Sequence, residues 1–130
     1  MALQTHFEFR SPTQIVHGPG SRVQLAGFLD EQKPLVVTDK GLVKAGVVDE
    51  VLDVLTRAGI DSALFDGALP NPPARCVHAG ERLYKKAQCT AIVAVGGGSP
   101  MDVAKMIGVV VGHGGRIENY LGANKVPEAI

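Results

Sequence analysis

Short apolar runs alternate along this chain with longer stretches in which apolar residues recur at helical spacing. "KPLVVTD" (33–39) is a continuous apolar run closing on polar residues, and its length and valines predict a buried strand. "KAGVVDEVLDVLTRAGI" (44–60) sets Val47, Val48, Val51, Leu52, Leu55 and Ala58 on one helical stripe, with Gly59 where a helix commonly stops. "DSALFDG" (61–67) predicts a second short strand. "LPNPPARCVHAGERLYKKAQ" (69–88) opens with prolines, which suit a loop or a first helical turn. Ala74, Val77, Tyr84 and Ala87 then mark an amphipathic helix. "CTAIVAV" (89–95) reads as a third buried strand and "SPMDVAKMIGVVVG" (99–112) as a mostly apolar helix.

Upstream, "HFEFR" (6–10) alternates, with Phe7 and Phe9 on one side and His6 and Glu8 on the other. Ser11-Pro12 is a turn signal and "QIVHG" (14–18) reads as a returning strand, so the N-terminus predicts a β-hairpin. "GSRVQLAGFLD" (20–30) predicts a short helix, and the tail from His113 is loop-like. The order β-α-β-α-β-α after a hairpin predicts an α/β fold: a Rossmann-like parallel sheet with helices on both faces and right-handed crossovers. No internal boundary divides residues 1–130.

Charge and cysteine usage narrow the function classes. Thirteen basic and thirteen acidic side chains cancel, so nothing favours nucleic acid or an anionic membrane as a partner, and any anion site must be local. Cys76 and Cys89 form no CxxC pair and fit no zinc spacing with the histidines, which points to reduced thiols in a cytoplasmic protein. No signal peptide and no membrane-spanning run is expected.

The candidate chemistry lies in "AIVAVGGGSPMDVAK" (91–105). A linker would have polar flanks; here glycines sit between a predicted strand and a helix carrying its own start signals. Ser99 is the expected N-cap, Pro100 suits the first helical position, and Asp102 completes a capping-box spacing. A helix N-terminus offers unpaired amides and a partial positive charge, and glycines let a phosphate come close. Gly96, Gly97, Gly98 and Ser99 are thus a candidate phosphate seat, with a purely structural turn as the alternative. The pattern is neither GxGxxG after the first strand nor a P-loop. Asp39, at the same edge of the predicted sheet, either reads a ribose or caps the helix after it.

Together these residues resemble the iron-containing (group III) alcohol dehydrogenases. The matching elements are "VTDKGL" (37–42), "FDG" (65–67) with "PNP" (70–72), "VGGGSPMDVAK" (95–105) and "GGRIENYLG" (114–122). The resemblance implies an N-terminal dinucleotide-binding domain. Gly96, Gly97, Gly98 and Ser99 would hold the NAD pyrophosphate, and Asp39 would favour NAD over NADP. Pro70 and Asn71 would lie by the adenine and Asp102 toward the nicotinamide. Lys105 either helps neutralise the cofactor or is solvated. The family's catalytic iron, or another divalent metal, is bound by an aspartate and three histidines in a C-terminal helical domain outside this chain. No catalytic or metal-binding residue is therefore assigned here, and the histidines show no ligand spacing. The implied partners are NAD(H), a small alcohol or aldehyde, and a second copy pairing through the N-terminal strand. The chain alone is expected not to oxidise alcohols. Two alternatives stand beside this reading: a non-catalytic dinucleotide-binding or interaction module, and a glycerol or sugar-alcohol dehydrogenase relative.

Overall fold

The computed structural model describes residues 11–128. Its centre is β1 (Pro34–Val37), buried at every position. Proline is tolerated at the first residue of an inner strand, where its missing amide costs least. On one side β1 pairs in parallel with β2 (Ala63–Phe65), and on the other with β3 (Ala91–Ala94). Leu35 stands opposite Ala63 and Ile92, and the strand order is β2-β1-β3. A strand paired on both sides and covered on both faces has no polar face to present, which is why its sequence does not alternate.

Side chains of β1 nevertheless alternate between two cores. Leu35 and Val37 pack with Val77 of α3 (Ala74–Lys86) and with Val103, Ile107 and Val110 of α4 (Gly98–His113). Val36 packs the other way, with Leu29 and with Val48 and Leu55 of α2 (Val47–Arg57). A short α1 (Lys40–Lys44) precedes α2 and adds Leu42 and Val43 to that second core. The architecture is therefore three layers, helix–sheet–helix, as the strand–helix alternation predicts.

Local signals explain the helix ends. In α2, Asp49 and Glu50 sit in the first turn and Arg57 in the last, each favourable with the helix dipole. Its end is a Schellman motif: Ile60 N–H reaches Leu55 O at 2.9 Å, Gly59 N–H reaches Thr56 O at 3.0 Å, and Gly59 has φ 73°. The same pattern closes α3, with Gln88 in the left-handed position at φ 55°.

Two expectations change at the N-terminal side. Among the described residues, Gln14–Gly18 is not a strand, and Ile15 is 84% exposed. The other arm of the expected hairpin, residues 6–10, lies outside the described residues. The short helix is a 3-10 helix, Ser21–Phe28, with no buried residue of its own, and Val23 and Phe28 are exposed. Among the described residues, no helix is long and apolar enough to cross a membrane.

Candidate functional site

Because the strands run parallel, the loops that follow them share one edge of the sheet. The loop after β1 leads into α1 and α2 on one face, and the loop after β3 leads into α4 on the opposite face. Two adjacent strands whose loops part in this way leave a crevice between them, the place where open α/β sheets bind ligands.

The glycine turn forms one wall of that crevice. Gly96 has φ 139°, and a Cβ there would stand 2.7 Å from Leu42 Cδ1 and 2.8 Å from Pro100 Cγ. Glycine is thus needed at 96 by the backbone and by packing. Gly97 and Gly98 differ: neither has a positive φ, and a Cβ on either would meet nothing within 4 Å. The helix starts earlier than the capping-box spacing predicts. Gly97 O accepts from Met101 N at 3.3 Å, so Gly97 is the N-cap and Gly98 the first helical residue. Ser99 then falls at the second helical position and makes no capping bond, and Asp102 falls at the fifth. Pro100 remains in the first turn, where an amide has no helical acceptor in any case. For the same reason the amides of Gly98 and Ser99 have no intrahelical partner.

Asp39 forms the facing wall. It is the N-cap of α1, its Oδ1 accepting from Leu42 N at 2.9 Å. The capping role is therefore real, and it engages one carboxylate oxygen. Between Asp39 and the glycines stands Thr38, fully buried, whose hydroxyl donates to Val95 O at 2.9 Å. Sequence reasoning gives Thr38 no role of its own: it is the polar end of an apolar run and part of the matched VTDKGL.

Pro70 and Asn71 lie exposed in the loop after β2, at the same edge of the sheet, with Asn71 at φ 46°. Asp102 is exposed on the second turn of α4. Lys105 is six residues beyond Ser99, about 9 Å along the helix axis. It borders a trough of about 810 Å³ along the open side of β3, lined by Ile92, Ala94, Met101 and Ala104. The structure thus brings Asp39 and Gly96–Ser99 to one crevice, puts Pro70 and Asn71 on its flank, and sets Lys105 apart from Gly96–Ser99.

Other reactive side chains are occupied structurally. Burial pushes both the Cys76 and Cys89 thiols up, and Cys76 Sγ donates to Gly67 O at 2.9 Å. His78 Nδ1 lies 2.9 Å from Glu81 and its Nε2 3.4 Å from Glu118, while His113 Nε2 meets Glu128 O at 3.1 Å. Among the described residues, no group of three or more His, Cys, Asp or Glu side chains stands close enough to hold a metal.

The profile for "Iron-containing alcohol dehydrogenase" matches residues 12–129. The chain belongs to the iron-containing alcohol dehydrogenase family. It is 45% identical over 126 residues to a choline dehydrogenase of Bacillus subtilis (strain 168), covering 95% of this chain and 31% of that protein. Among solved structures it resembles the NADH-dependent butanol dehydrogenase A of Thermotoga maritima. That match has a TM-score of 0.84 and 32% identity, covering 96% of this chain and 33% of the other. It also resembles the sulfoacetaldehyde reductase of Bifidobacterium kashiwanohense in complex with NAD+, at TM-score 0.81 and 27% identity, covering 91% and 32%. The chain therefore spans about a third of the length of these proteins. A metal of the kind in the family's name finds no fitting group among the described residues, and no step is assigned through one.

Proposed function

We propose that this chain is the dinucleotide-binding part of an NAD-dependent alcohol dehydrogenase, and that the crevice between the β1 and β3 loops takes NAD. The observation that carries this is the open space at Gly97 and Gly98, where the domain's own packing does not call for glycine. A phosphate approaching the free amides at the start of α4 does call for it. In this reading Gly96 shapes the turn, and Gly97, Gly98 and Ser99 donate backbone amides to the pyrophosphate. Asp39 uses Oδ1 to hold the loop and Oδ2 to accept from the adenosine ribose, and its charge repels the 2′-phosphate of NADP. Pro70 and Asn71 flank the adenine, Asp102 lies toward the nicotinamide side, and Lys105 adds positive charge at a distance.

When bound, NAD supplies hydride transfer between an alcohol and its aldehyde or ketone. This chain's own residues bind and orient it, and the relatives' names support alcohol or aldehyde substrates for the longer protein. Iron or another divalent metal would sit on residues beyond this chain, so the chain alone does not turn over alcohol. We extend the proposal to a second copy that pairs through the N-terminal segment: light scattering of a chain lacking residues 1–10 should show a lower mass, and an unchanged mass overturns it.

The test is titration of the folded chain with NADH and NADPH, followed by cofactor fluorescence. NADH should saturate, and NADPH should bind at least about tenfold more weakly. Asp39→Asn keeps a good N-cap acceptor but removes the charge, so it should narrow that gap while leaving the melting temperature in place. Failure of the folded chain to bind NADH would overturn the reading.

A further inference from the structure

Position 38 directly follows the apolar strand β1 and is fully buried, yet it is threonine. Valine has nearly the same shape and would suit such a site at least as well, so the hydroxyl calls for an explanation. The backbone of Thr38 faces β2: its N–H donates to Phe65 O at 2.8 Å and its C=O accepts from Ala68 N at 3.1 Å. On the β3 side, the last ladder bond runs from Val95 N–H to Val37 O at 2.9 Å. In a continued parallel ladder the next bond would bring the amide of residue 39 to Val95 O. The chain turns instead, because Asp39 is the N-cap of α1. The Thr38 hydroxyl takes the vacant place, 2.9 Å from Val95 O.

One residue therefore ties all three strands at their C-terminal ends. The tie lies between the two walls of the crevice: Asp39 follows Thr38 directly, and Gly96 follows Val95 directly. Leu42, held by the Asp39 cap, packs over Gly96 and closes the same corner. We propose that Thr38 is a positioning residue that fixes the spacing between the ribose-reading carboxylate of Asp39 and the phosphate seat at Gly96–Ser99. The proposal rests on the cofactor reading above.

A spacer reveals itself only to a ligand that spans both walls. Three probes separate the cases: NADH touches both, adenosine only the ribose side, and inorganic pyrophosphate only the glycine seat. In Thr38→Val, NADH affinity should fall about tenfold, the worth of roughly one well-placed hydrogen bond. Adenosine and pyrophosphate should stay within about twofold of wild type, and Thr38→Ser should restore NADH binding to within that same margin. Unchanged NADH affinity in Thr38→Val overturns the proposal, and so does an equal loss for all three probes, which would mark general loosening. Should Thr38→Val fail to fold, Thr38→Ser and Thr38→Cys decide, since the thiol is the weaker donor. NADH must then bind the serine variant better than the cysteine variant, and equal binding overturns the proposal. A wild-type chain that binds no NADH defeats the cofactor reading itself, and that result is visible before any variant is made.

Discussion

Gly80, at the crossing of α3 and α4, and Gly98, at the start of α4, differ in what surrounds the place where a side chain would begin. A Cβ on Gly80 would clash with Ile107 Cδ1 and stand 3.0 Å from its Cγ1. Ile107 is itself fully buried, so it has little room to yield. A Cβ on Gly98 would meet nothing within 4 Å. At the first position the fold requires glycine so that two helices can approach. At the second the fold requires nothing, and the proposed cofactor would supply the requirement from outside the domain. Gly96 combines both conditions, with a positive φ and neighbours at 2.7 and 2.8 Å. An empty surround at a helix start is thus a stronger pointer to a ligand than a crowded one.

Alanine substitution tests that contrast directly. Gly96→Ala carries the largest expected effect, because left-handed strain and overpacking act together; about 3 kcal/mol of unfolding free energy should be lost. NADH binding should go with it, since Leu42 and Pro100 must shift. Gly80→Ala should cost about 1–3 kcal/mol by overpacking alone. Its folded fraction should bind NADH as wild type does, because the helix crossing lies away from the crevice. Urea unfolding and cofactor titration on the same samples would show both. A Gly80→Ala variant of wild-type stability would mean that the α3–α4 crossing relaxes freely and that crowding around a glycine carries no information here.

Gly98→Ala should invert the pattern. Alanine is the better helix former, so stability should hold or rise by about 0.5–1 kcal/mol. NADH affinity should nevertheless fall at least about tenfold, because the methyl group occupies the space the pyrophosphate needs. Unchanged affinity would show that the open space is incidental and that the glycine run is only a turn.

The contrast also shows which features the sequence discloses. β1 and β3 are legible as apolar runs, and the end of α2 at Gly59, because each depends on residues close in sequence. But β3 is half-buried with Ala94 exposed rather than the buried strand expected, since it pairs on one side only among the described strands. The start of α4 is misread because Ser99-x-x-Asp102 imitates a capping box. The actual first turn is set by Gly97 O accepting from Met101 N, a backbone bond that no side-chain pattern announces. The glycines and Asp39 are legible as candidates from the sequence, and the structure adds that Asp39 caps α1 while following β1 at the crevice. Thr38 was not legible, since its hydroxyl partner lies 57 residues further along the chain. Nor does the sequence separate Gly96 from Gly98, since only packing distinguishes the crowded glycine from the open one.

The smallest effect belongs to a corner that should influence stability and leave the crevice alone. Glu118, on the 3-10 helix Ile117–Tyr120, pairs with Arg116 at 2.9 Å and lies 3.4 Å from His78 on α3. The Arg116 hydrogen bond chiefly, with its own backbone amide and His78 helping, holds the Glu118 carboxyl down to about 2. Its folded value is thus below the ordinary 4.5, so its stabilisation is fully present above pH 4.5 and disappears as pH falls toward 2. The pair is solvent-exposed and screened, so the effect should be modest. Glu118→Gln should make the loss of stability shallower over that interval without abolishing it. Glu81, held low by Lys85 first and then by His78, still titrates there. NADH affinity at neutral pH should not change. An acid limb identical to wild type would show that the Arg116 pair is slack in solution. A loss of NADH binding would show that the α3 corner and the crevice are coupled, and that the division between fold-serving and ligand-serving parts is less sharp than Gly80 and Gly98 suggest.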